Sequence, residues 1–184
     1  MNITLRFATP EDAAAVNEIY DYYIENTVFT FNEVNKSVEE RAEDIAKLTQ
    51  IYPFLIAEAD GRFLGFANAE PVRSQTGYRY SVELTIYLHP DAPKHVGIGR
   101  LLYHRLFEIL KAQGFRTAYA VISGTNFESV DFHKSFGFEP IASFRSSGYK
   151  HGIWLDSLWM QKQLNPYDAS PDMPVPFSEY RTRV

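Results

Sequence analysis

A glycine-containing stretch, residues 94–100, has residue types that suit an anionic ligand. Gly97 and Gly99 remove side chains where a diphosphate would approach the backbone, and Lys94 and His95 add donors on the same loop. A strand pattern ends just before this stretch and a helical pattern begins at Ile98. The loop is therefore predicted to present the free N–H groups and positive dipole of a helix N-terminus. The same spacing also occurs in ordinary turns, and that alternative stays open.

Glu83 lies in the middle of an apolar strand pattern. Because side chains alternate along a strand, Val82 and Leu84 are predicted to share one face, and Glu83, Thr85 and Tyr87 the other. Burying a carboxylate is costly, so its position favours a functional role. A solvated face or an arginine partner is the alternative. A carboxylate with an ordinary pKa of ~4.3 is a weak base toward an amine, which calls for a raised pKa or a water relay.

His133 is the second candidate for chemistry, on a short helix predicted to start at Asn126 and to end at Gly137. Histidine titrates near neutrality, so it could serve as an acid or a base. A structural histidine at the edge of the core is the competing interpretation.

Composition limits the possible classes of protein. The 184 residues, 45% hydrophobic, suit one domain with a sizeable core, and the net charge of −5 gives no reason to expect nucleic acid or an anionic membrane as a partner. No apolar run approaches 18 residues and no signal-peptide core is found, so we expect a cytoplasmic protein. With no cysteine and only five scattered histidines, neither an acyl-cysteine nor a metal site is predicted.

Hydrophobic periodicity predicts the order β-α-α-β-β-β-α-β-α-β-β, a mixed α/β single domain. The predicted strands are residues 3–7, 54–59, 63–70, 78–88, 115–122, 138–144 and 154–163. The predicted helices are residues 9–25, 37–50, 98–113 and 126–137. Thr9 and Pro10 signal the first helix start, and a capping box from Ser37 to Glu40 signals the second. Beyond Pro166 the chain is a Pro-rich tail, either loose or docked on a partner subunit.

The glycine loop, falling after the fourth strand and before the third helix, resembles the acyl-CoA pyrophosphate loop of the GCN5-related N-acetyltransferases (GNAT), with Lys94 where Gln or Arg is usual. Over roughly residues 5–164 the chain is similar to the phosphinothricin and methionine sulfoximine N-acetyltransferase group. The stretches that carry this likeness are Tyr23-Ile24-Glu25, Tyr52-Pro53-Phe54-Leu55, Val82-Glu83-Leu84-Thr85-Ile86-Tyr87-Leu88, Ala112-Gln113-Gly114-Phe115 and Gly148-Tyr149-Lys150-His151-Gly152.

This resemblance implies the GNAT acyl-CoA N-acyltransferase fold, a mixed and mostly antiparallel sheet flanked by helices, in residues 1–164, followed by the tail at 165–184. It implies that Glu83 and His133 are catalytic and that Phe31 and Arg73 contact the substrate. It also implies that the fourth and fifth strands splay apart and expose backbone N–H groups. The residues implied to bind acetyl-CoA are Ile86, Tyr87, Leu88, Lys94, His95, Val96, Gly97, Ile98, Gly99, Arg100 and Asn126.

The predicted activity is transfer of acetyl from acetyl-CoA to a small, amino-acid-like amine. Because the chain has no cysteine, direct attack in a ternary complex is the economical mechanism. The resemblance and the long aromatic-rich tail both suggest a homodimer. Leu84 departs from the small polar residue that often follows the glutamate. The alternatives are a protein or peptide N-terminal acetyltransferase, a non-catalytic acyl-CoA-binding regulator, and a structural α/β protein.

Overall fold

The computed structural model describes residues 2–183, which form one seven-stranded sheet with helices on both faces. The strands are β1 (Thr4–Phe7), β2 (Phe54–Ala59), β3 (Arg62–Pro71), β4 (Ser81–Leu88), β5 (Thr117–Ser123), β6 (Glu139–Lys150) and β7 (Ile153–Gln163). The helices are α1 (Ala13–Asn26), α2 (Val38–Leu48), α3 (Ile98–Gln113), α4 (Phe127–Ser135) and the short α5 (Phe177–Tyr180). Within these residues, no helix is both long enough and apolar enough to cross a membrane.

The sheet order is β1-β2-β3-β4-β5-β7-β6, and every neighbouring pair is antiparallel except β4 and β5. The predicted mixed, mostly antiparallel sheet is thus confirmed. A larger core lies on the α3 and α4 face and includes Val82 and Leu84, while a smaller one lies under α1 and α2 and includes Phe66. Both faces are therefore covered, and a polar side chain of a central strand is at least partly removed from water.

The parallel pair β4–β5 is joined only at its start. Its paired residues run from Ser81 with Thr117 to Glu83 with Tyr119, although both strands continue for several residues beyond this point. The two strands therefore separate within the sheet and leave an opening between their C-terminal halves. This opening is the position around which the candidate site is built.

Two strand boundaries differ from those predicted from the sequence. The fourth strand starts at Ser81 rather than at residue 78, because Tyr78 and Arg79 donate backbone hydrogen bonds to Gln75 and Thr76 in a tight helical turn. The sixth strand continues to Lys150 instead of ending at residue 144. Its pairing with β7 slips between Phe144 and Gly148, an irregularity that interrupts the alternation of side chains.

The Pro-rich tail packs on its own chain. Phe177 is fully buried with its ring 4.9 Å from that of Phe7, and its N–H donates to the carbonyl of Ile51. Val175 likewise donates to the carbonyl of Gln113. Residues 175–180 are therefore not a loose tail.

Candidate active site

A cavity of about 240 Å³ lies at the opening between β4 and β5. Its walls come from both faces of the sheet: the loop after α1 and strand β4 on one side, and β5 and α4 on the other. Among the residues predicted to act at the site, the cavity is lined by Phe31, Glu83, Ile86, Tyr87, Asn126 and His133. The structure therefore brings the two proposed catalytic side chains into one space.

Glu83 points to the α1–α2 face, as the strand alternation predicted, and shares it with Thr85 and Tyr87 in the cavity wall. Burial raises the pKa of Glu83 to about 7, the charge of Glu70 adds to the rise, and Arg73 opposes it. Neither a salt bridge nor a hydrogen bond to another described side chain holds this carboxylate. Such a group is half-ionised near neutral pH and is a better base than an ordinary carboxylate.

The backbone of β4 offers N–H groups to the opening. His89 donates to the carbonyl of Leu64 across the β3–β4 ladder, so the alternation of an antiparallel strand directs the N–H groups of Ile86 and Leu88 away from β3. They lie beyond the last β4–β5 pair and so face the opening. Tyr87 instead pairs with Phe66 of β3 and contributes its ring to the cavity.

His133 enters the cavity from the opposite face of the sheet and is held at both ring nitrogens. Its Nδ1 lies 2.7 Å from the carbonyl oxygen of Ser129, and its Nε2 lies 2.8 Å from the hydroxyl of Tyr103. Nδ1 must carry the proton to donate to a carbonyl, so Nε2 accepts from the Tyr103 hydroxyl. Burial lowers the pKa of His133. The geometry therefore favours a neutral imidazole.

Asn126 caps α4, its side-chain oxygen accepting from the N–H of Ser129 at 3.1 Å. The same residue and Ser129 line the cavity beside His133. One short helix thus fixes three polar groups of the site on the side of the sheet away from Glu83.

The glycine loop forms the N-terminus of α3 outside the cavity lining. Gly97 is the N-cap with a φ of +87°, a left-handed value that favours glycine, and a Cβ there would meet nothing within 4 Å. Gly99 is buried, and a Cβ would lie 3.2 Å from the ring of Phe132, so glycine lets α3 approach α4. The next N–H groups have no partner within the helix, as anion binding requires.

The side chains of this loop divide into two groups. Lys94, His95 and Val96 are exposed at its tip, where the two basic groups can reach an anion, whereas Ile98 is buried in the core. Arg100 turns toward α4, with its guanidinium 5.2 Å from the ring of Phe136 and 3.4 Å from the Ser135 hydroxyl. The open loop and the free N–H groups of β4 together fit an extended cofactor with a diphosphate.

Arg73 lies outside the cavity lining. Its guanidinium stacks 5.4 Å over the ring of Trp159 and donates to the carbonyl of Val72 at 3.1 Å. It is exposed, yet close enough to lower the pKa of Glu83. Its assignment as a substrate contact stays a prediction.

Residues 148–151 hold the wall of the cavity, a role that the sequence alone did not indicate. Gly148 supports the ring of Phe31, because a Cβ at Gly148 would lie 2.3 Å from two ring carbons. The buried ammonium of Lys150 donates to the carbonyl of Thr30 at 3.0 Å, and His151 Nε2 lies 3.1 Å from the carbonyl of Ile24. The end of β6 therefore fixes the loop that walls the cavity. The signal in the sequence was a lysine, Lys150, with a glycine two residues away on each side.

The sequence of this chain is similar to those of known acetyltransferases. Residues 5–159 match the family model for an acetyltransferase (GNAT) domain. The chain is 34% identical to a phosphinothricin N-acetyltransferase of Streptomyces viridochromogenes, with 94% of each chain covered. It is 36% identical to the L-methionine sulfoximine/L-methionine sulfone acetyltransferase of Salmonella typhimurium, covering 92% of this chain and 99% of that protein.

A solved structure shares the fold closely. The GNAT superfamily phosphinothricin acetyltransferase from Sinorhizobium meliloti, in complex with AcCoA, superimposes with a TM-score of 0.87 at 37% identity, covering 94% of each chain. The resemblance and the fold class inferred from the sequence are both confirmed.

Proposed function

Because this chain belongs to the GNAT family and is an acetyl-CoA-dependent N-acetyltransferase, we propose a specific class of acceptor for it. The acceptor is the free amine of a small amino-acid-like molecule, of the phosphinothricin or methionine sulfoximine type. The observation that carries this proposal is the meeting of Glu83 and His133 in one small cavity at the opening between β4 and β5. Because the sequence has no cysteine, we propose direct transfer within a ternary complex.

Acetyl-CoA, when bound, supplies the acetyl group as a reactive thioester. The N–H groups at the start of α3 and the basic side chains of Lys94 and His95 would hold its diphosphate. The N–H groups of Ile86 and Leu88 would hold the pantetheine arm, and one of them would stabilise the negative charge that develops on the carbonyl oxygen. Asn126 would lie near the thiol end.

Glu83 would act on the acceptor side of the sheet. An amine arrives protonated and must lose a proton before it can attack, and Glu83 takes that proton directly or through one water. Its raised pKa brings it closer to that of the amine, which lowers the cost of the transfer. As the C–N bond forms, the C–S bond breaks and CoA leaves as a thiolate, which takes a proton from solvent. His133 would lie on this thiol side as a neutral group, its Nε2 accepting a hydrogen bond from Tyr103.

The walls of the cavity favour a small acceptor over a peptide. The loop after α1 places Phe29, Phe31 and Asn32 over the cavity, and β6 holds that loop in place. A protein N-terminal acetyltransferase needs an open groove for an extended chain. We further propose that Arg73 pairs with an acidic group of the acceptor at the rim.

A homodimer is also proposed. The tail gives this state little support, because its Phe177 is buried within its own chain. The support comes instead from aromatic side chains left exposed on β6 and β7, namely Phe144, Tyr149 and Trp154, the last with 67% of its surface exposed. Mass measurement in solution tests this state.

The function is tested by thiol release from acetyl-CoA with phosphinothricin, methionine sulfoximine, free amino acids and an alanine-ended peptide. Wild type, Glu83→Gln and His133→Ala are compared, with Glu39→Gln as a matched control, since Glu39 is an exposed glutamate on α2. We expect turnover of a small acceptor, reduced at least tenfold by both site variants and not by the control.

Two results would redirect the assignment. Preferential turnover of the peptide would make the chain a peptide acetyltransferase. Binding of acetyl-CoA without turnover of any amine would make it a regulator that senses the cofactor. Retention of full activity in Glu83→Gln would remove Glu83 from the mechanism.

A further inference from the structure

A second carboxylate stands directly opposite Glu83. In the antiparallel β3–β4 ladder, Glu70 is the register partner of Glu83, and residues directly opposite each other project to the same face of the sheet. Both side chains line the 240 Å³ cavity. An acceptor whose amine reaches Glu83 therefore lies beside Glu70 as well.

Glu70 also forms the boundary with a neighbouring space. Glu70 and Tyr20 also line a second cavity of about 360 Å³ beneath α2, so both side chains are shared by the two linings.

The charged groups that face Glu70 leave its carboxylate without an ion-pair partner among the described residues. Burial raises the pKa of Glu70; Lys36 and Arg41 oppose this rise, and Asp44 adds to it. Lys36 is paired with Asp44, and Arg41 stacks 4.3 Å over the ring of Tyr20. Arg41 also donates hydrogen bonds to two asparagine side chains, Asn17 and Asn35.

On the Glu83 side, Arg73 opposes the rise in the pKa of Glu83, and it lies exposed over Trp159. Tyr20 and Tyr87 face the same space as uncharged groups, since burial raises the pKa of both phenols. His133 is neutral across the opening. Among the described residues, two carboxylates without an ion-pair partner therefore border this part of the cavity, where a charge is screened less than at the surface.

We propose that Glu70 determines acceptor specificity, its carboxylate selecting amines with an uncharged or cationic side chain over amines with an anionic side chain. This inference rests on the proposed function, because it concerns the acceptor of that same site. It ranks the two acceptor types: methionine sulfoximine, with a neutral side chain, above phosphinothricin, with an anionic phosphinate. Glu70 is a specificity-determining group and takes no proton in the reaction.

The test is the ratio of kcat/KM for methionine sulfoximine to that for phosphinothricin. Glu70→Gln keeps the shape of the side chain and removes its charge, Glu70→Asp keeps the charge, and Glu39→Gln removes a distant charge. We expect the ratio to fall about tenfold in Glu70→Gln, through a gain for phosphinothricin, and to stay within about threefold of wild type in the other two variants. The KM for acetyl-CoA should not change.

An unchanged ratio in Glu70→Gln, or an equal fall in Glu39→Gln, would overturn the proposal. A loss of both activities in the same proportion would show a structural role and would also overturn it. If wild type turns over neither compound, the proposed acceptor class fails separately. Calorimetric binding of L-methionine and L-glutamate to the enzyme–CoA complex then decides: a preference for methionine that Glu70→Gln removes supports the role of Glu70, and no such preference refutes it.

Discussion

The replacement Glu83→Gln should abolish the base and at the same time stabilise the fold above neutral pH. The pKa of Glu83 rises from 4.5 to about 7 on folding, chiefly through burial. The folded state therefore holds the proton more tightly than the unfolded state, and wild type loses stability as the pH rises from about 4.5 through 7. Glutamine matches the protonated form at every pH and does not lose this stability.

The size of the effect follows from the same shift. At about 1.4 kcal/mol for a pKa change of one, a fully buried Glu83 would lower the free energy of unfolding of wild type by roughly 3 kcal/mol above pH 7. Glu83 is partly open to the cavity, so screening by solvent reduces this to about 1–2 kcal/mol. For a chain of this length that is a difference in Tm of about 2–8 °C.

The assay is thermal unfolding of wild type, Glu83→Gln and Glu39→Gln at half-unit steps from pH 5 to pH 8.5. The difference between Glu83→Gln and wild type should be small at pH 5 and reach its full size by pH 8, while Glu39→Gln follows wild type. A difference that does not change with pH, or a glutamine variant less stable than wild type at pH 8, would refute the buried, high-pKa carboxylate.

Three further predictions concern packing and hydrogen-bond contacts of other buried residues. Tyr103→Phe removes the donor to His133 Nε2 and leaves a buried acceptor unsatisfied, which should lower the free energy of unfolding in urea by about 1–3 kcal/mol. Gly148→Ala should push the ring of Phe31 into the cavity and raise the KM for the amine at least fivefold, with the KM for acetyl-CoA unchanged in steady-state assays. Phe177→Ala should cost about 3–5 kcal/mol in the same urea measurement, because its ring is fully buried.

Each of these variants has a matched control substitution at an exposed or open position of the chain. Tyr22→Phe changes an exposed ring, Gly77→Ala adds a methyl group where nothing lies within 4 Å, and Met173→Ala changes an exposed side chain of the tail. Equal effects in a variant and its counterpart would mean that the contact invoked is absent. A normal amine KM in Gly148→Ala would show that Phe31 does not limit the cavity.

Local sequence patterns predicted most of the helices and strands of the fold. The Ser37 capping box formed as predicted, with the Ser37 hydroxyl accepting from the N–H of Glu40. Thr9 is the N-cap and Pro10 the first helical residue, as predicted, but residues 10–12 form a 3-10 turn and α1 begins only at Ala13. The packing of Phe177 on Phe7 joins the two ends of the chain and has no signature in either segment alone.

The site was less accessible to sequence reasoning than the fold. Alternation along β4 was enough to separate Glu83 from Val82 and Leu84. It could not reveal Glu70, because only the β3–β4 register sets the two carboxylates opposite each other. It also could not reveal the Tyr103 hydroxyl on His133, a contact between two helices thirty residues apart in the chain.

Burial acts on both proposed catalytic groups in the same sense. It raises the pKa of Glu83 and lowers that of His133, so each group moves toward its uncharged form. Transfer of a proton from one to the other would create two charges in a small cavity and is therefore opposed. An incoming ammonium ion changes this balance on one side only, because a cation beside Glu83 lowers its pKa and favours the carboxylate. The substrate would thus ionise its own base on arrival, while His133 on the far face of the sheet stays neutral.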